Sequence, residues 1–257
     1  MLDAVLAIPE LTTSLERGDS LDERIDAAFA LMEPMGFNAL IYDYTPVPFR
    51  PDGTMISPSL LCLRHAPEDM HELWCRRGYY LIDPAQQVAA RSITPFIWCY
   101  RQDSDTVINR IMSEAHTPVV RYLHDTDMTC GVSVPIHMPR GDYATVTAVR
   151  FHAERDFERA AQETVADFAL LAHVFHAAAM PLYDEDALVC HAARVTARER
   201  QCLKLSAEGL TAKEIARRLD RSVATVVLHL NSAARRLGAR NRVHAVTLAA
   251  HYRLLDD

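Results

Sequence analysis

The chain has 257 residues, 49% hydrophobic and 24% charged, with a formal net charge of −7. This is the composition of a folded globular protein of one large or two smaller domains. It contains no internal repeat, no low-complexity tract and no run of about 18 uninterrupted apolar residues, which excludes a conventional membrane span.

The N-terminus, M-L-D-A, has no basic region ahead of an apolar core, so no signal peptide is expected. Leu2 to Leu15 reads as a short helix. Leu21 to Met35 is a stronger one, striped by Leu21, Ile25, Ala28, Phe29 and Met32 and stopped by Gly36. Phe37 to Tyr44 reads as a strand, followed by a turn with Pro46, Pro48 and Pro51. Ser59 to His65 is a second strand. Pro67 to Tyr79 reads as helical, Asp83-Pro84 opens another helix, and Ile93 to Trp98 is short and apolar. Val107 to His116 is expected to be helical. Gly131 to His137 and Tyr143 to Phe151 alternate like paired strands, and Phe157 to Met180 is a long apolar-striped helix. Together these predict an α/β/α sandwich around an antiparallel sheet, over residues 1–180. Pro181 and the acidic run 184–186 mark a linker at 181–193, and residues 194–257 form a second domain.

The charge is unevenly spread. Residues 194–257 carry 13 Lys and Arg against 6 Asp and Glu, whereas the remainder carries 14 against 28. A basic module on an acidic body suits a DNA-binding tail on a sensor. The six cysteines form no CxxC pair, so reduced thiols and a cytoplasmic location are expected.

The basic module reads as four short helices. Thr196 with Glu199, and Thr211 with Glu214, have capping-box spacing. Gly209 can stop the first helix, Ser222 opens the third, Gly238 ends it and Asn241 caps the fourth. Val226, Leu230, Ala233, Ala234 and Leu237 pack one face of the third helix inward. Thr225, Leu228, His229, Ser232, Arg235 and Arg236 share its outer part, and Lys213, Arg217, Arg218, Arg221, Arg240 and Arg242 surround it. Two helices joined by a tight turn, the second rich in Arg, follow a helix-turn-helix plan. The alternative is a solvated basic face on an interaction helix.

This stretch resembles the LuxR/GerE-type DNA-binding domain through T-A-R-E at 196–199, Leu203, Gly209, Thr211, Glu214-Ile215-Ala216, Leu219, Thr225-Val226, His229, Asn231, Arg236-Leu237, Asn241-Arg242 and Ala245. The resemblance implies an all-α four-helix domain whose third helix reads double-stranded DNA at a two-fold site. Its fourth helix, with Val243, Val246, Thr247 and Ala250 along one side, would pair two subunits in a homodimer. Leu210 departs from the family, which usually has Lys there.

In the first domain, Met70, Trp74 and Trp98 could be core residues or ligand contacts, and Asp83 beside Pro84 could simply cap a helix. Asp83-Pro84, Trp98 at 15 residues beyond Asp83, and Gly131-x3-Pro135 resemble the signal-binding domain of LuxR quorum-sensing receptors. By that resemblance Asp83 accepts a hydrogen bond from a ligand amide, and Trp98 forms an apolar wall. The implied pocket comprises Met70, Trp74, Asp83 and Trp98, with Ile41, Asp43 and Thr45 on the first strand and Tyr79, Ile111 and Thr147 around them.

Two positions depart from lactone receptors. Met70 stands where the family has a Trp that donates to the lactone carbonyl, and Trp74 where it has a Tyr that bonds the acyl carbonyl. Methionine has no donor. The Met/Trp pair resembles the plant-responsive LuxR solos of the OryR type, which implies a plant-derived small-molecule signal. Asp43 would suit a polar or cationic ligand, or else faces solvent or pairs with an Arg. The 115–131 segment is longer than in lactone receptors.

His173 and His176 have helical spacing but no evident third ligand, so no metal is expected. No nucleophile–base pairing and no Gly-rich phosphate loop is recognisable, so neither a cofactor nor an enzyme activity is expected. The competing readings are a lactone receptor with a repacked pocket, a two-component response regulator, and an enzyme with a DNA-binding tail. The Pro-rich 45–58 segment and antiparallel pattern count against a receiver domain.

Overall fold

The computed structural model describes residues 8–101, 103–152 and 156–256. The chain divides into two units, residues 1–48 with 57–188, and residues 49–56 with 189–257. Residues 181–188 lie in the first unit, where the Tyr183 hydroxyl meets that of Tyr42 and the Ser59 hydroxyl donates to the Ala187 carbonyl.

In the first unit, α1 spans Ile8–Glu16 and α2 spans Leu21–Met32. The part of the expected first helix before Ile8 lies outside the described residues. Ser20 caps α2 in a capping box with Glu23, and Ile25, Ala28 and Met32 turn its buried face inward. Five strands follow in the order β2-β1-β5-β4-β3, with every neighbouring pair antiparallel. They are β1 (Ala39–Thr45), β2 (Leu60–Arg64), β3 (Phe96–Cys99), β4 (Cys130–His137) and β5 (Tyr143–Arg150).

Side chains alternate across a strand, and here the two faces have different chemistry. Leu40, Tyr42, Tyr44, Val132, Val134, Ile136, Ala144, Val146 and Ala148 join α1, α2 and α6 (Phe157–Ala179) in the main core. Phe168 and Phe175 of α6 are fully buried there, each worth roughly 1.5–3 kcal/mol of transfer free energy. The opposite face carries Ile41, Asp43, Thr45, Ser133, Thr145 and Thr147, and is covered by α3 (Tyr79–Ile82), α4 (Pro84–Ala89) and α5 (Thr117–Asp125). This is the expected α/β/α sandwich.

Several local expectations need correction. Residues 67–79 hold a π-helical turn at Glu72–Arg76 rather than one regular helix. Residues 107–116 form two 3₁₀ turns, Val107–Arg110 and Glu114–His116. The helix in this region is α5, whose start is favoured by Pro118 in its first turn. The short apolar stretch from Ile93 becomes a strand only at Phe96, and Ile93 is 84% exposed. Residues Phe157–Leu182 form a helical stretch long and apolar enough to cross a membrane. That apolarity serves the core, because Phe168, Leu171, Ala172 and Phe175 pack under the sheet. The six thiols are not all reduced: Cys99 and Cys130 sit opposite each other in the β3–β4 register and are joined in a disulfide. A separation of 31 residues gave no motif for this pair. Cys62, Cys75, Cys190 and Cys202 are free thiols.

The second unit contains α7 (Ala197–Ala207), α8 (Ala212–Leu219), α9 (Val223–Arg236) and α10 (Arg242–His251). Both capping boxes form. The Thr196 and Thr211 amides each donate to a glutamate oxygen at 2.7 Å, from Glu199 and Glu214 respectively. Ser222 and Asn241 accept from the Thr225 and His244 amides at 3.1 and 2.9 Å. Leu203, Ile215, Val226, Ala233 and Ala249 fill the core between the helices. Gly209 and Gly238 take φ of +89° and +67°, which lets the chain leave α7 and α9 without steric strain.

Candidate functional site

The polar face of the sheet and the helices covering it enclose a cavity. Ile41, Thr147 and Val149 form its floor, Met70 and Trp74 come from the turn before α3, and Asp83, Ala85 and Gln86 come from the start of α4. Trp98, Tyr100, Leu123 and Met128 complete the lining. The enclosed space is about 20 Å³, room for about one water molecule. A larger occupant must displace side chains, and the two methionines in the wall are the most adaptable of these.

Asp83 joins the local fold to the cavity. It caps α4 by accepting from the Ala85 amide at 2.9 Å. The same carboxylate accepts from the Tyr100 hydroxyl at 2.9 Å and from the Trp74 indole N–H at 3.2 Å. Burial pushes the Asp83 carboxyl above its ordinary range, opposed by those donors. Trp74 packs edge-on against Tyr79 and Tyr122, with ring centroids 5.6 and 5.4 Å apart. The Trp98 indole N–H donates to the Ser133 hydroxyl, which meets the Thr147 hydroxyl, both at 2.9 Å.

Asp43 is fully buried, so neither a solvent-facing nor an Arg-paired side chain describes it. The Tyr80 hydroxyl donates to one oxygen at 2.8 Å and the Gln86 amide to the other at 3.3 Å. Burial pushes its carboxyl up to about 7, against the pull of these hydrogen bonds.

Of the residues expected at the pocket, Ile41, Met70, Trp74, Asp83, Trp98 and Thr147 line the cavity together. Asp43 and Thr45 are buried on the same sheet face, and Asp43 reaches the wall through Gln86. Tyr79 is half-buried behind Trp74. Ile111 is a correction: it is 39% exposed and lies outside the lining. In the 3₁₀ turn at 107–110 it is Ile108 that points inward. Tyr80, Gln86 and Tyr100 escaped the sequence reading. Gln86 stands three residues after Asp83, a spacing that signals a helix cap, whereas its side chain crosses to β1.

In the second unit, Lys213, Arg217, Arg221, Leu228, Arg235 and Arg240 stand exposed on α8, α9 and the turns beside them, while Thr225, His229 and Ser232 are half-buried. Leu228 is 63% exposed. Arg235 and Arg240 border a groove with Val227 and Asn231. Several of these cations have intramolecular partners, among them Arg221, which donates to the Asp220 carbonyl. Arg236 pairs at 3.3 Å with Glu199, whose side chain is only 4% exposed. Arg218 pairs with Glu208 at 3.2 Å. Arg242 clamps α10 to the end of α7 by donating to the Ser206 hydroxyl and the Leu210 carbonyl. Leu210 thus contributes its backbone carbonyl to that clamp.

The family description "Autoinducer binding domain" matches residues 20–179, and "Bacterial regulatory proteins, luxR family" matches residues 193–249. The transcriptional activator protein RaiR of Rhizobium etli is 31% identical over 186 residues, 72% of this chain and 73% of that protein. The HTH-type quorum sensing-dependent transcriptional regulator RpaR of Rhodopseudomonas palustris is 29% identical over 246 residues, 92% of each chain. The crystal structure of Escherichia coli SdiA superposes with a TM-score of 0.60 at 20% identity, covering 97% of this chain and 98% of that one, which is a likeness of fold.

Proposed function

Because this chain belongs to the LuxR family of ligand-binding transcriptional regulators, we propose that it is a plant-responsive member of the OryR type, sensing a plant-derived small molecule rather than an acyl-homoserine lactone. The observation that carries this reading is the bond from Trp74 to Asp83. The carboxylate that would receive a lactone's amide already accepts an indole N–H, and Met70 offers no donor to a lactone carbonyl. The signal domain is assigned to residues 1–180, the linker to 181–193 and the DNA-binding domain to 194–257. The regulator works in the cytoplasm as a homodimer on a two-fold DNA site. Val243, 76% exposed on α10, supports pairing through that helix.

Operator binding titrated with a lactone panel and with plant extract tests the ligand assignment. The wild type is expected to respond to extract and to ignore lactones. Asp83→Asn retains a helix cap but replaces a charged acceptor with a neutral one. Its response should weaken roughly tenfold to a hundredfold, from a loss of about 1–3 kcal/mol. Met70→Trp with Trp74→Tyr should move some response toward lactones, both because donors return and because Asp83 loses its indole partner. A wild type that binds a common lactone at submicromolar concentration and ignores extract would establish the competing reading, a lactone receptor with a repacked pocket.

The DNA face has its own test. Arg235→Ala is expected to weaken operator binding with no change in thermal midpoint. If Arg235 touches a base the loss is roughly 1–3 kcal/mol with relaxed specificity; if it touches a phosphate the salt slope falls by about one. Arg236→Ala should lower the thermal midpoint as well, because it strips a buried carboxylate of its cation. Unchanged affinity of Arg235→Ala at two salt concentrations removes α9 from the DNA interface.

A further inference from the structure

We propose that the ligand of the first-unit cavity carries a primary or secondary ammonium group, received by the Gln86 side-chain carbonyl and the Asp83 carboxylate, with Asp43 behind Gln86. The inference rests on the reading of this cavity as the signal site and specifies the chemistry of the signal. Gln86 lines the cavity and is only 5% exposed. Its amide N–H₂ donates to Asp43, and its carbonyl oxygen Oε1 is buried with no hydrogen-bond partner. An orphaned buried acceptor is costly, and a ligand N–H relieves that cost.

Charge makes the donor a cation. One carboxylate, Asp83, lines the cavity, a second, Asp43, lies behind Gln86, and none of the lining residues is Lys, Arg or His. Their internal partners are neutral donors: Tyr80 and Gln86 on Asp43, and Trp74, Tyr100 and Ala85 on Asp83. Such donors orient the carboxylates and leave the charge uncompensated, whereas an ammonium supplies N–H groups and the missing positive charge together. Oε1 requires an N–H, so a quaternary ammonium does not satisfy it. Asp43 acts by holding the Gln86 amide with its oxygen toward the cavity and is a positioning residue.

The preference should grow as pH rises past about 7, as Asp43 gives up its proton. The titratable groups around Asp43 are Tyr42, Tyr80, Tyr143, Tyr183, Cys62 and Cys75, all held neutral there by burial, and Asp83.

The test uses the full chain and three matched probes: N-(2-aminoethyl)hexanamide, N-(2-hydroxyethyl)hexanamide and the trimethylammonium analogue of the first. Calorimetric titration above and below neutral pH should show the amine binding about tenfold or more tightly than its hydroxyl and trimethylammonium twins at the higher pH. Asp43→Asn and Gln86→Met should each bring the amine-to-hydroxyl ratio close to one. The wild-type comparison stands even if a variant fails to fold. Equal binding of the amine and hydroxyl probes overturns the ammonium assignment and leaves the cavity as a site for a neutral signal. Equal binding of the amine and trimethylammonium probes overturns the N–H requirement. Binding of none of them overturns the proposal as well, while the operator titration with extract separately decides whether the protein senses a plant signal.

Discussion

Gly131→Ala should strongly destabilise the first unit. Gly131 pairs with Trp98 across β3 and β4. A Cβ at position 131 would collide with the Trp98 ring, coming within 2.8 Å of Cε2, and would lie 2.5 Å from the Ala148 carbonyl oxygen. The carbonyl belongs to a strand hydrogen-bonded on both sides and cannot move away alone. Overpacking of a tight core typically costs about 1–3 kcal/mol. With ring and backbone both obstructing one atom, the expected loss is at the upper end or beyond, against a total stability on the order of 5–15 kcal/mol. Urea unfolding followed by tryptophan fluorescence measures it. Adding Trp98→Phe, which removes the part of the ring nearest the new methyl, should return some of the stability but not all, since the carbonyl remains. A Gly131→Ala protein with the wild-type urea midpoint would mean that β4 can shift at no cost.

Asp43 makes the second large effect, and it depends on pH. Its carboxyl titrates at about 7 in the folded protein against an ordinary value of 3.8. Between those two values the folded state holds a proton that the unfolded state has lost. The stability this contributes is fully present below about pH 4 and is lost as pH rises through about 7. At 1.36 kcal/mol per pH unit the swing is on the order of 4 kcal/mol. Asp43→Asn removes the titration, so the difference between wild-type and variant unfolding free energies isolates it. That difference should move in the variant's favour from pH 4 to pH 8. Asp83 is shifted in the same direction and remains in both proteins, so only its repulsion with Asp43 enters the difference. Parallel pH profiles for the two proteins would mean that Asp43 ionises at its ordinary value.

The sequence disclosed most where local chemistry decides structure. The caps at Thr196, Thr211, Ser222 and Asn241 are satisfied within three residues, so the four helices of the second unit could be read from spacing. The strand alternation of 131–137 and 143–151 was equally legible. The segment 107–116 misled because Val107, Ile108, Ile111 and Met112 imitate a helical stripe, whereas Thr106 and Ser113 open turns of only four and three residues. In the cavity, the lining residues on the LuxR signature positions were readable through resemblance. The polar relay of Tyr80, Gln86 and Asp43 was not, because its bonds span 37 and 43 residues and no periodicity records them. Arg236 looked like a DNA contact for a related reason: its charge is visible in sequence, but its partner on another helix is not.

The two-faced sheet separates what can change from what cannot. Exchanging a side chain at 41 or 147 alters the wall of the cavity, and at 43, 133 or 145 the polar layer beside it, while the Leu40, Val134 and Val146 layer beneath α6 stays intact. New sensitivities are therefore reachable by single steps on a scaffold that stays folded. Inserting or deleting one residue within β1, β4 or β5 has the opposite result, turning the aliphatic row toward the cavity and the hydroxyl row into the core. Lineages descending from this receptor should diversify by substitution along these strands and keep their lengths fixed.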